Sequence, residues 1–219
     1  MECAITFHSK SLTYTGPIKE IQMVTTSPRK LSGKWTEGYA LDLHTTSSTY
    51  IGDNEYGHPQ FDTQRSEIGD LLYLLKYRQD HSVIASIVET VVDFVGKQAW
   101  TFELVVPVPP SNIGRTSQPV IDLSKAIATQ LKVGFCPDCI VKVKDTPALK
   151  NIYQLEQRAA LLRGAYTVNQ SKVASKRLLV FDDLYRSGAT LNSVCQALIE
   201  DGKTKTIYTL TLTMTRSYR

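Results

Sequence analysis

Residues 176–192, KRLLVFDDLYRSGATLN, join an apolar run of strand length to two adjacent carboxylates and then to a loop of small residues. Leu178, Leu179, Val180 and Phe181 are continuous rather than alternating, which is the pattern of a central strand buried on both faces of a parallel sheet. Asp182 and Asp183 follow at its carboxyl end, where open α/β sheets place their ligands. Residues 184–190 lead into a helix whose inward face is expected to be Leu191, Val194, Cys195, Leu198 and Ile199. Gly188 can take a positive φ, small side chains let backbone N–H groups approach an anion, and the helix N-terminus adds unpaired donors and a favourable dipole. Carboxylates beside such a nest are poor partners for phosphate itself. They suit ribose hydroxyls, which donate to them, or a hydrated divalent cation.

The remaining pattern alternates strands and helices. Ile68, Leu71, Leu72 and Leu75 stand at helical spacing, and Ile84, Ile87, Val88, Val91, Val92 and Val95 repeat it. A strand is expected at 102–106, stopped by Pro107, Pro109 and Pro110, followed by a helix at 117–132 with Val120, Leu123, Ile127 and Leu131 inward. Further elements are a strand near 139–143, a helical stretch at 155–162 and a last strand at 206–214. In that last strand Tyr208, Leu210, Leu212 and Met214 alternate with threonines, as if one face were buried. This order implies an α/β fold with a mainly parallel sheet and helices on both faces. Residues 1–60 differ. They hold β-type segments at 4–7, 21–25 and 39–44 without helical periodicity, and are expected to form a small β-rich N-terminal extension, with 53–59 as a linker into the main domain, 61–219.

At 219 residues and a formal net charge of +4, the chain accommodates one α/β core, and its charge is too mild to identify a nucleic-acid binder. No run of about 18 apolar residues exists and the start lacks a secretion-signal pattern, so a cytoplasmic location is the expectation. Of the cysteines Cys3, Cys136, Cys139 and Cys195, only Cys136 and Cys139 have metal-like spacing, and that is half of a tetrahedral zinc site, so an ordinary turn is favoured. Asp53, Glu55, His58 and Asp62 lack fixed ligand spacing and read as solvated surface. None of His8, His44, His58 and His81 is placed for general-base work.

The strand, acidic pair and Ser187-Gly188-Ala189-Thr190 loop resemble the 5-phosphoribosyl 1-pyrophosphate (PRPP) loop of the type I phosphoribosyltransferases, most closely the ComF-like group. Leu75-Lys76-Tyr77-Arg78, Val106-Pro107-Val108-Pro109 and Arg163-Gly164-Ala165-Tyr166 occur in that family's order, over roughly residues 61–217. Many ComF-like proteins carry a four-cysteine zinc module at the N-terminus, which this chain lacks. The resemblance implies a phosphoribosyltransferase-type sheet and an Mg²⁺-dependent transferase of nucleotide metabolism. Such an enzyme displaces pyrophosphate from C1 of PRPP with a nitrogen nucleophile.

In that reading Asp182 and Asp183 contact the ribose hydroxyls, directly or through metal-bound water. Tyr185, Arg186, Ser187, Gly188, Ala189 and Thr190 surround the 5′-phosphate. Pyrophosphate falls to Ser111 and Arg115, since Pro109 and Pro110 have no N–H to give. Residues 144–163 form the covering segment, with Lys150, Arg158 and Arg163 as phosphate partners. Lys76 is either a site residue or a cation offsetting the dipole of its helix. The family also leaves open a non-catalytic PRPP-binding regulator, an accessory role in DNA uptake, and a homodimer. Trp35, Tyr39, Tyr50 and Tyr56 are candidates to stack on a base, although packing is the commoner fate of such residues.

Overall fold

The computed structural model describes residues 22–110, 118–144 and 164–216. A six-stranded sheet runs in the order β1 (Arg29–Lys30), β2 (Glu37–Leu43), β10 (Thr206–Met214), β9 (Arg177–Tyr185), β5 (Leu104–Pro107), β6 (Gly134–Phe135). All neighbours are parallel except the antiparallel edge strand β1. Helices α1 (Glu67–Tyr77), α2 (Ile84–Gly96) and α3 (Pro119–Leu131) share one apolar core with one face of the sheet; α5 (Ala189–Glu200) shares the other. A short helix, α4 (Gln170–Val173), precedes β9. The mixed α/β fold with a mostly parallel sheet is the expected one. Among the described residues, no helix is long and apolar enough to cross a membrane.

Local sequence explains the helices that matter for the site. Ser66 caps α1, its hydroxyl accepting from the Gly69 amide at 3.1 Å while donating to the Leu43 carbonyl at 2.5 Å. Glu67 and Asp70 lie in the first turn and Lys76 in the last, each with the sign the helix dipole favours. Leu72 and Leu75 pack inward, leaving Lys76 at the rim of the sheet.

Several expectations need correction. The sheet begins before residue 61: β2 lies within it, with Ala40 and Leu41 fully buried. The supposed linker at 53–59 is the tip of an antiparallel hairpin, β3 (Thr45–Asp53) with β4 (Pro59–Arg65), where Asn54 Oδ1 accepts from the amides of Tyr56 and His58. β9 runs on through Asp182 and Asp183 to Tyr185. β10 is buried on both faces, because α5 and the segment before β2 cover Thr209 and Thr211. Ile199 is exposed rather than inward; Leu191, Val194, Cys195 and Leu198 are buried as expected.

β7 (Ile140–Lys142) pairs antiparallel with β8 (Tyr166–Val168). Beside it, Cys136 and Cys139 form a disulfide, with Cα atoms 5.5 Å apart, where an ordinary turn was expected. The helical stretch expected at 155–162 lies outside the described residues.

Candidate functional site

The sheet reverses its order between β5 and β9. From β5 the chain crosses through α3 to β6 on one side, whereas β9 lies on the other side of β5 and leads through α5 to β10 beyond it. The carboxyl ends of the strands at such a switch point flank a crevice, the usual ligand position in open α/β sheets. Here β5 leaves first. Its ladder with β9 ends at Pro107 opposite Phe181, with one more bond from the Val108 amide to the Phe181 carbonyl at 2.9 Å, while β9 stays paired with β10 as far as Tyr185. Residues 182–185 therefore form a lip held from one side.

Strand alternation sends the two carboxylates to opposite faces of this lip. Asp183 faces α1, where Lys76 Nζ lies 2.5 Å from its Oδ2, the two side chains being 23% and 13% exposed. Lys76 is thus brought to the site, and its place at the end of α1 serves the helix dipole as well. Asp182 faces the α5 side with Val180. Burial, and then the neighbouring Asp183 charge, push its carboxyl up to about 8, against a smaller downward pull from the Asp183 amide, which donates to Oδ1 at 2.8 Å, and from Lys76. Tyr166, nearly buried on β8, has its phenol raised by burial and by the Asp182 charge, which sets it beside that carboxyl.

Between Asp182 and the start of α5 is a hollow of about 100 Å³, lined by Asp182, residues 184–191 and Thr211. Whole small-molecule pockets run to roughly 300–1,000 Å³, so this hollow has the scale of one anionic group. Gly188 caps α5 with φ +73°, and a Cβ there would stand 2.5 Å from the Tyr185 hydroxyl oxygen, so the turn closes only with glycine under the Tyr185 ring. Asn192 ties this turn down: its Nδ2 donates to the Gly188 carbonyl at 2.9 Å and its Oδ1 accepts from the Lys34 amide at 2.8 Å. Thr211, opposite Asp182 in the ladder, is fully buried, and its hydroxyl has no hydrogen-bond partner among the described residues.

Asp182, Tyr185, Arg186, Ser187, Gly188, Ala189 and Thr190 come together here, with Asp183 and Lys76 behind the lip. Ser111, Arg115, Lys150, Arg158 and Arg163 lie outside the described residues. Asp182 and Asp183 do not form a joint direct seat for a divalent cation, since they point to opposite faces and Lys76 engages one of them. Among the described residues no group of three or more His, Cys, Asp or Glu side chains could hold a metal. Of the aromatic candidates, Tyr39 packs against Phe94 and Trp100, and Trp35 donates to the Leu31 carbonyl. Tyr50 and Tyr56 are exposed on the hairpin, as are Asp53, Glu55 and His58 nearby, except that Asp53 accepts from the Tyr50 hydroxyl.

One contact near Asp183 escaped the sequence reading. His44 follows β2 at the same sheet edge, its amide donating to the Met214 carbonyl at 2.7 Å and its Nδ1 lying 3.2 Å from Thr213 Oγ1. The Thr213 hydroxyl in turn donates to the Asp183 carbonyl at 3.1 Å. The one available signal was its position as the last residue of the strand-like segment 39–44.

No family model and no curated protein matches the chain. Among solved structures, adenine phosphoribosyltransferase from Thermoanaerobacter pseudethanolicus is similar at 15% identity and a TM-score of 0.42, over 76% of this chain and 95% of that one. The enzyme of the same name from Trypanosoma brucei, in complex with AMP, pyrophosphate and ribose-5-phosphate, is similar at 12% identity and a TM-score of 0.46, over 86% of each chain. That from Giardia lamblia, complexed with 9-deazaadenine, gives 15% and 0.43, over 78% and 94%.

Proposed function

We propose that the chain is a phosphoribosyltransferase that binds PRPP across the carboxyl edge of its sheet and transfers the phosphoribosyl group to a nitrogen nucleophile, releasing pyrophosphate. The observation that carries this reading is the hollow at the α5 N-terminus. There a glycine-closed turn, the half-buried Asp182 and the Thr211 hydroxyl, without a partner among the described residues, meet at the carboxyl ends of β9 and β10.

In this reading the amides of residues 186–190, the Ser187 and Thr190 hydroxyls and the Arg186 guanidinium hold the 5′-phosphate. Asp182 and Asp183 take the ribose hydroxyls or metal-bound water. Mg²⁺ travels as part of the substrate, held by pyrophosphate oxygens and water, as that ion prefers, and neutralises charge on the leaving group. Lys76, Ser111 and Arg115, with Lys150, Arg158 and Arg163 from residues 144–163, supply the remaining positive and polar contacts to pyrophosphate. Fixed donors of this kind favour the transition state because charge grows on the leaving oxygens as the bond to C1 breaks.

The test is calorimetric titration of PRPP with and without Mg²⁺ into the native chain and into the Asp182→Asn/Asp183→Asn variant, with pyrophosphate release followed in parallel. The reading expects metal-dependent binding that the double variant loses. Absence of binding by the native chain refutes it, and binding without pyrophosphate release converts it to a PRPP-binding regulator.

A further inference from the structure

His44 is joined to the site by two hydrogen bonds that fix its chemistry. Thr213 has one hydroxyl hydrogen, and it goes to the Asp183 carbonyl. The contact with His44 therefore needs the imidazole to donate, which puts the ring proton on Nδ1 and leaves Nε2 as a bare acceptor. That nitrogen has no hydrogen-bond partner among the described residues. The ring is half-buried just past the carboxyl end of β2, at the same edge of the sheet as the carboxyl ends of β10 and β9. The charged groups that act on it come from three neighbouring elements and the loop before α5: Arg65 of β4, Lys76 of α1, Asp183 of β9, and Arg186. Burial first, then these cations, hold the imidazole below the usual histidine range, with Asp183 pulling the other way.

We propose that His44 is a catalytic residue on the acceptor side of this site, its Nε2 receiving the proton given up by the incoming nitrogen nucleophile. This rests on the phosphoribosyl-transfer reading. The nucleophile's lone pair forms the bond to C1 of the ribose. The C1–O bond to pyrophosphate breaks with its electron pair leaving on oxygen. The N–H proton passes to His44 Nε2 and from there to water.

The test uses the full chain with Mg²⁺–PRPP as donor and ammonia or adenine as nucleophile, with two variants chosen by which ring nitrogen they imitate. His44→Asn keeps a donor where Nδ1 bonds Thr213 and removes the Nε2 acceptor; His44→Gln reaches the Nε2 position with a group that cannot take a proton. Both are expected to bind PRPP within about twofold of native while pyrophosphate release falls on the order of 100-fold, the scale of a lost general base. The acidic limb of the native pH–rate profile should vanish with the residue. Nitrogen-15 NMR of histidine-labelled protein should find His44 protonated at Nδ1.

A proton on Nε2, or native-like turnover by His44→Asn, overturns the assignment. So does parallel loss of stability and PRPP binding in His44→Asn, which would make the residue a structural tie to Thr213. A native chain that binds PRPP but releases no pyrophosphate with either nucleophile also overturns it and leaves the binding site standing. A native chain that binds no PRPP removes both.

Discussion

Replacing Asp182 by Asn should stabilise the protein, and by more as the pH rises. In the folded chain the carboxyl is pushed from an ordinary 3.8 to about 8, first by burial and second by Asp183. Between those two values the folded state holds a proton that the unfolded state has released, so native stability falls as pH climbs through the window. The interval is about 4 pH units, worth about 1.4 kcal/mol each. Allowing half for the partial exposure of the side chain to water leaves about 3 kcal/mol. An asparagine at 182 does not titrate, so its advantage over native should be near zero at about pH 4 and approach about 3 kcal/mol at about pH 8. Urea unfolding of both proteins at several pH values across this range measures the gap directly. A gap that stays constant, or that narrows toward alkaline pH, would refute the claim that Asp182 is held protonated by its surroundings.

Two other substitutions probe the same hollow. Gly188→Ala should cost about 2 kcal/mol, about 1–2 for a side chain at positive φ and the rest from its collision with Tyr185, seen as a lower thermal midpoint; combining it with Tyr185→Ala should recover the collision part and leave the backbone part. Thr211→Val, which removes the unpartnered hydroxyl without changing shape, should leave stability unchanged or raise it by about 1 kcal/mol while weakening ribose 5-phosphate binding in calorimetry, a combination that a purely structural threonine would not give.

What could be read from the chain, and what could not, follows from where each signal is stored. Leu178 to Phe181, Gly188 and the inward face Leu191, Val194, Cys195 and Leu198 are written in consecutive residues or at a fixed helical period, and they appear in the structure where that spacing puts them. The continuation of β9 through Asp182 to Tyr185 is not written that way. Those residues are strand only because β10 pairs with them from one side, a contact the local pattern does not encode. β2 was mistaken for part of an extension because Gly38, Tyr39 and Asp42 interrupt its apolar run, and its burial comes from lying beside β10. The tip at 53–59 carries turn residues in either reading, and only the pairing of Tyr50 with Phe61 distinguishes a hairpin from a linker. His44 joined the site through Thr213, a partner distant in sequence, so no motif window could contain both. Ile199 sits at the margin of the helical apolar stripe, where a small rotation decides between core and solvent.

The placement of β10 between β2 and β9 governs how the molecule can be made. Glu37 pairs with Tyr208 and Arg177 with Thr206, so β2, with only the two-residue edge strand β1 beside it, cannot join the parallel sheet until residues 206–214 have been made. Until then Ala40 and Leu41 have no parallel partner, and the hollow beside Asp182 lacks Thr211. A nascent chain stalled before residue 206 would expose two apolar strand edges at once. Such long-range closure is slow, and it presents chaperones with a prolonged target. Joining the β10 sequence ahead of β1 by circular permutation should shorten that interval.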